Sequence, residues 1–282
     1  MRNVENSVCV LFLFLALAFG TASGQSMQPV LQGTAAGQSS ASFDQSSFDQ
    51  TAEVVQAETS TTTTALTVPS TAKVISNIQK LTGWKTCVGT CAGMPHAVYS
   101  LTLGVTSPSL SGASAKAQIL SGTSPFGGVM WYKYLTAGGT ATHFVYDFYF
   151  YMTNPSAPQA LEFNISQSTG GYRYEFASQC ELVNTRTWRL WDPSAKHWVG
   201  TTVPCLQPPP KTWNHVTWEL QRSGSSVIFV AITLNGTRHV LNKTVARKPD
   251  GSSGIDFGFQ LDANRTATPF ALWLDKVTLK YW

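Results

Sequence analysis

Leu161-Glu162-Phe163-Asn164-Ile165-Ser166-Gln167 is the stretch on which the fold turns. In an extended backbone successive side chains point to opposite faces, so Leu161, Phe163 and Ile165 fall on one side and Glu162, Asn164 and Ser166 on the other. This is a half-buried strand, apolar toward a core and polar away from it.

Working outward, period-two alternation of β-branched or aromatic residues recurs at 97–103, 116–120, 143–152, 172–178, 215–222, 227–234, 238–245, 255–261 and 270–281. Asn154-Pro155, Thr169-Gly170-Gly171, Asn235-Gly236 and Asp250-Gly251 separate these runs as turns. Asn235-Gly236 between two alternating runs predicts a two-residue hairpin. No segment keeps a 3.6 period. About 210 residues with this many strands predict one large antiparallel sandwich rather than two domains.

The 282 residues are 43% hydrophobic, 12% aromatic and 12% charged. Charge usage is about half the roughly 25% of an average globular chain. That composition excludes a chain disordered throughout, and no heptad pattern points to a coiled coil. The net charge of +4 is too weak to imply a nucleic-acid partner. Its distribution is uneven: 25–72 carries Asp44, Asp49, Glu53 and Glu58 and no basic residue, leaving 18 basic and 10 acidic residues in 73–282. The excess of about +8 biases that part mildly toward anionic surfaces or polymers. With no run of Lys or Arg, scattered solubilising charge is the better account of it.

Arg2, the apolar run Val8 to Phe19 and the small residues Thr21-Ala22-Ser23-Gly24 match the three parts of a secretory signal peptide, with cleavage near Gly24. The run is shorter than the ~20 apolar residues a spanning helix needs, so no membrane association is expected after cleavage. Residues 25–72 are rich in Gln, Ser, Thr, Ala and Gly, with a tandem Ser-Phe-Asp-Gln at 42–45 and 47–50. They read as a disordered linker. Cys87, Cys91, Cys180 and Cys205 follow it, an even number that in an exported chain points to disulfides. Of three pairings, Cys87–Cys91 with Cys180–Cys205 joins the pairs closest in sequence. A zinc site is the rival reading, but His96, His143, His197, His215 and His239 are too dispersed for it.

The 161–167 strand resembles that of the concanavalin A-like lectin/glucanase superfamily, whose laminarinase- and lichenase-type hydrolases carry Glu-x-Asp-x-x-Glu on the concave sheet. Glu162 matches the nucleophile, Asn164 stands at the helper Asp and Gln167 at the acid/base. His215-Val216-Thr217-Trp218-Glu219 and Trp273-Leu274-Asp275-Lys276-Val277-Thr278-Leu279 look like core strands of such jelly rolls. The likeness covers most of 98–282 and implies an antiparallel jelly-roll β-sandwich. The departures are chemical. Retaining hydrolysis needs two carboxyl groups about 5–5.5 Å apart, and neither amide supplies one, although an amide both donates to and accepts from a sugar hydroxyl. The motif favours binding over catalysis.

Other residues extend that expected face. If Thr169-Gly170 is a two-residue turn, Asn164 faces Glu175 and Glu162 lies diagonal to Glu175, roughly 7–8 Å away and inside the ~6.5–9.5 Å inverting range. Glu162 and Glu175 are then the pair an enzyme would use, unless Arg173 on the same face neutralises them. With Phe144, Tyr146, Phe148 and Phe150 in the core, Asp147, Tyr149 and Tyr151 are expected beside Glu162 and Asn164. Trp218 alternates with Val216 and Leu220 and reads as core. Trp191 and Trp198 flank the turn Asp192-Pro193-Ser194 and are the candidate stacking platforms.

There is no Gly-x-Ser-x-Gly elbow, no phosphate-binding loop and no His-Glu-x-x-His. No cofactor is expected. Calcium is implied by the resemblance alone, since Asp192, Asp250, Asp256 and Asp262 form no recognisable loop. Asn-x-Ser/Thr occurs at Asn164, Asn235, Asn242 and Asn264. The expectation is a secreted, disulfide-bonded, concanavalin A-like sandwich over 73–282 that binds a glycan or polysaccharide without hydrolysing it. A glycoside hydrolase and a structural or protein-binding sandwich are the alternatives.

Overall fold

The computed structural model describes residues 64–89 and 93–282. The expected signal peptide, Cys91 and most of the expected linker lie outside the described residues. Within them no helix is long and apolar enough to cross a membrane.

The first strands are β1 (Lys73–Ile75), β2 (Lys85–Val88), β3 (Tyr99–Val105), β4 (Ser114–Ile119) and β5 (Gly128–Thr136). Next come β6 (His143–Met152), β7 (Pro158–Thr169), β8 (Tyr172–Glu181), β9 (Thr187–Asp192) and β10 (His197–Pro204). The last six are β11 (Trp213–Ser223), β12 (Ser226–Leu234), β13 (Thr237–Ala246), β14 (Lys248–Pro249), β15 (Gly254–Ala263) and β16 (Phe270–Tyr281). They form two antiparallel sheets packed as a jelly-roll β-sandwich. The first runs β13–β12–β11–β6–β16–β4–β3, with β1 beside β16; the second runs β10–β9–β8–β7–β15–β5–β2, with β14 beside β8.

The core is what the alternation requires. Phe144, Tyr146, Phe148 and Phe150 of β6 meet Leu161, Phe163 and Ile165 of β7 across the sandwich, all buried. Phe148 and Phe163 have ring centroids 4.4 Å apart, and Trp188 meets Trp218 edge-on at 5.6 Å. Each such side chain contributes about 1.5–3 kcal/mol of burial.

β5, β9 and β10 were not apparent in the sequence. On β5 the core residues Val129 and Trp131 alternate with Met130, Tyr132 and Tyr134, so both faces are apolar and the period disappears. On β9 the outward positions are Arg189 and Trp191, which blurs the pattern in the same way.

One register differs by two residues. The β7–β8 turn is Gly170-Gly171, with φ of 60° and 80°, and Thr169 pairs with Tyr172. A tight hairpin turn of this kind needs positive φ at both central residues. Two glycines adopt that freely, whereas a β-branched threonine does not. Glu175 consequently sits opposite Ser166 rather than Asn164. Asn235 (φ 46°) and Gly236 (φ 89°) form the expected β12–β13 turn.

Cys180 and Cys205 are disulfide-bonded. Cys87 is also in a disulfide. Part of the expected linker, 64–72, contains no strand, and its Leu66 N–H donates to Glu219 Oε2 at 2.9 Å.

Candidate functional site

Residues pointing away from the core on the second sheet line up by register. Glu162 of β7 lies opposite Gln179 of β8 and Gln260 of β15. Gln179 in turn lies opposite Arg189 of β9, and Gln260 opposite Met130 of β5. One row away, Asn164 lies between Ala177 and Gly258, small residues that leave the floor low. Trp191 pairs across the β9–β10 hairpin with Trp198, ring centroids 5.4 Å apart. Together these rows line a cavity of about 210 Å³, bounded also by Glu175 and Asp262.

Two hydrogen-bonded groups lie side by side on the floor. Gln179 Nε2 donates to Glu162 Oε1 at 2.9 Å, and Arg189 Nη2 donates to Gln179 Oε1. On the other side Gln260 Nε2 donates to Asp262 Oδ1 at 2.9 Å. Glu162 and Asp262 are 6% and 2% exposed. Burial, reinforced by the charge of Asp262, holds the Glu162 carboxyl well above the usual carboxylate range, against the opposing pull of Gln179, Arg189 and Asn164. Burial likewise pushes Asp262 up to about 7, although Gln260 and Arg189 favour its ionised form. Near neutral pH the pair therefore retains at least one proton.

The sequence candidates divide. Glu162, Asn164, Glu175, Trp191 and Trp198 share the cavity. Asp147, Tyr149 and Tyr151 do not: β6 belongs to the first sheet, so its outward side chains face the opposite side of the molecule. There Tyr149 stacks on His215 at 4.1 Å, and His215 Nε2 lies 2.7 Å from Asp147 Oδ2. Gln167 is fully buried on the core side, where its Nε2 donates to the carbonyls of Gly138 and Ala141 at 2.7 and 3.0 Å. An odd offset from Glu162 in a strand without a bulge there gives the opposite face. Arg173 stays on the outer face but sits near the turn, pairing with Asp256 at 2.7 Å; Lys248 neutralises Glu175 at 2.6 Å instead.

The shifted register also dissolves the Glu162/Glu175 diagonal. Four residues of offset along adjacent strands separate the two backbones by roughly 13–14 Å. The diagonal partner of Glu162 is Asp262, since Glu162 lies opposite Gln260, two residues before it. Gln179, Arg189 and Gln260 carry no functional signal in the sequence, and Asp262 enters there only among the aspartates weighed for calcium. Gln260 lies within the alternating run 255–261, but the neighbour order that joins these residues to Glu162 is not visible in it.

Among the described residues no three His, Cys, Asp or Glu side chains are placed to hold a metal ion. Asp192 caps its own turn through Ser194 N and Ala195 N, and Asp250 and Asp256 flank Arg173.

No protein-family model matches the chain, and no curated protein matches it in sequence. Solved structures resemble it in architecture. An endo-β-1,4-glucuronan lyase from the fungus Trichoderma reesei is 14% identical over 69% of this chain and 94% of its own, with a TM-score of 0.43. A carbohydrate esterase of the Shiga toxin-encoding bacteriophage phi24B is 11% identical over 74% and 99%, with a TM-score of 0.45. The carbohydrate-binding module CBM66 from Bacillus subtilis is 11% identical over 71% and 96%, with a TM-score of 0.34. At this level the likeness is to the β-sandwich and assigns no chemistry to any residue here.

Proposed function

We propose that this is an exported glycan-binding protein whose ligand lies in the cavity on the outer face of the second sheet and is not hydrolysed there. The carrying observation is the Trp191–Trp198 pair beside a floor of amides and buried carboxyl groups. Aromatic planes pack against the C–H faces of a sugar, while Asn164, Gln179 and Gln260 offer donors and acceptors to its hydroxyls. The Cys180–Cys205 disulfide supports an oxidising, extracytoplasmic location. Glu162 and Asp262 are each held by a glutamine and nearly buried, which suits anchoring of the floor more than proton transfer.

One observation favours hydrolysis as a second reading. Diagonal neighbours lie roughly 7–8 Å apart, within the ~6.5–9.5 Å separation of inverting glycosidases, and Glu162 is held protonated as a general acid requires. A polysaccharide and glycan array with the full secreted chain separates the readings. Selective binding that is weakened by Trp191→Ala supports the site. Unchanged sugar after prolonged incubation supports binding alone, whereas released product that disappears in Glu162→Gln establishes the hydrolase. An absence of binding across plant, algal, fungal and bacterial glycans leaves the structural sandwich as the reading.

A further inference from the structure

Arg189 is used lightly for a cation in a partly closed cavity. Its Nη2 donates to Gln179, its Nε is buried without an acceptor, and among the described residues no carboxylate lies within ion-pairing distance of the guanidinium. A guanidinium offers five N–H donors in a planar fork that matches a carboxylate, so most of this one's capacity is unspent. Glu162 of β7, Glu181 of β8 and Asp262 of β15 act on it electrostatically. Glu175 of β8 is neutralised by Lys248 of β14, and Glu181 is committed to the backbone N–H groups of residues 183–186.

We infer that the cavity takes a glycan bearing carboxylate groups, a polyuronate, with Arg189 receiving the carboxylate while the ring packs against Trp191 and Trp198. This assignment rests on the glycan reading above and names its ligand class. Burial raises the pKa of both Glu162 and Asp262, so below pH 7 they repel such a ligand less than ordinary carboxylates would. The excess of basic residues in 73–282, 18 against 10, brings an anionic polymer toward the surface. Because Asp262 ionises around pH 7, the cavity gains a negative charge above that point, and uronate binding weakens as the pH rises from 6 to 8. Glu162 adds to the same trend at higher pH.

The test compares an oligouronate with its carboxyl-reduced, neutral counterpart by titration calorimetry on the full chain at pH 6 and pH 8. The expected result is a preference of roughly ten-fold or more for the uronate at pH 6, the size of a charge-assisted hydrogen bond, shrinking at pH 8. In Arg189→Gln the preference ratio collapses toward one, whatever the absolute affinity. Arg189→Lys, which keeps the charge but not the fork, retains part of it. Equal affinity of the native protein for both ligands overturns the carboxylate assignment and leaves the glycan site standing. A preference that survives in Arg189→Gln with a native-like melting curve overturns it too. Binding of neither ligand, when other glycans also fail, overturns the glycan reading and this inference together.

Discussion

The outward faces of the two sheets read alike in sequence and differ in kind. On the first sheet Trp213, Tyr151 and Trp273 stand side by side on β11, β6 and β16, with Lys116 of β4 over Trp273 at 5.2 Å. Their rings meet at 49° and 89°, packing on one another. On the second sheet the equivalent positions hold amides and acids around small floor residues, and the Trp191–Trp198 hairpin stands at one side. Aromatic residues pack together where neighbours are large. Where small residues such as Ala177 replace large neighbours, the cavity stays open. Aromatic content alone therefore does not identify a binding face.

Several outcomes would break or sharpen that contrast. The largest effect belongs to the core shared by both faces: Trp218→Ala should cost about 3–5 kcal/mol in denaturant unfolding, with loss of the Trp188 contact. A cost well under 1 kcal/mol would show that the sheets are not packed through this residue. Next is the disulfide at the β8–β10 side of the second sheet. Replacing Cys180 and Cys205 by serine should lower stability by about 3 kcal/mol for a closed loop of 25 residues. Ligand affinity should fall with it if the Trp191 wall depends on that edge.

Third, Trp191→Ala should weaken glycan binding by roughly ten-fold, while Tyr151→Ala on the opposite sheet leaves affinity within about two-fold. The reverse order would move the site to the first sheet. The last outcome concerns stability against pH. Burial raises the folded-state pKa of Asp262 to about 7, above the ordinary aspartate value, so the folded protein holds a proton that the unfolded chain releases. That contribution is present below about pH 4 and is lost as the pH rises toward 7. The melting temperature should fall over this interval, less steeply in Asp262→Asn. An unchanged slope in the variant would place the responsible proton elsewhere.

Alternation alone was enough to find β6 and β16 with both ends correct, and to put Phe144, Phe148, Leu161 and Phe163 in the core. Asp192-Pro193-Ser194 marked the turn between Trp191 and Trp198, although the strands β9 and β10 that carry them showed no clear alternation. It failed on β5, where Met130, Tyr132 and Tyr134 disguise the outward face as core. Of the cavity, Glu162, Asn164, Glu175 and the two tryptophans were legible. Tyr149 and Tyr151 were misplaced because alternation states that a residue points outward without stating from which sheet.

Side-chain polarity at period two is a local property, so sequence by itself determined an antiparallel sandwich and the inward or outward sense of most of its residues. Strand neighbours are set by long-range pairing, and only the tertiary structure decided that Glu162 shares its sheet with Gln179, Gln260 and Asp262 rather than with Tyr149. The β7–β8 register was decided by two glycines that accept positive φ. The raised pKa values of Glu162 and Asp262 follow from being buried side by side. Desolvation depends on what surrounds a carboxyl group in space, and residues about a hundred positions apart in the chain supply it here.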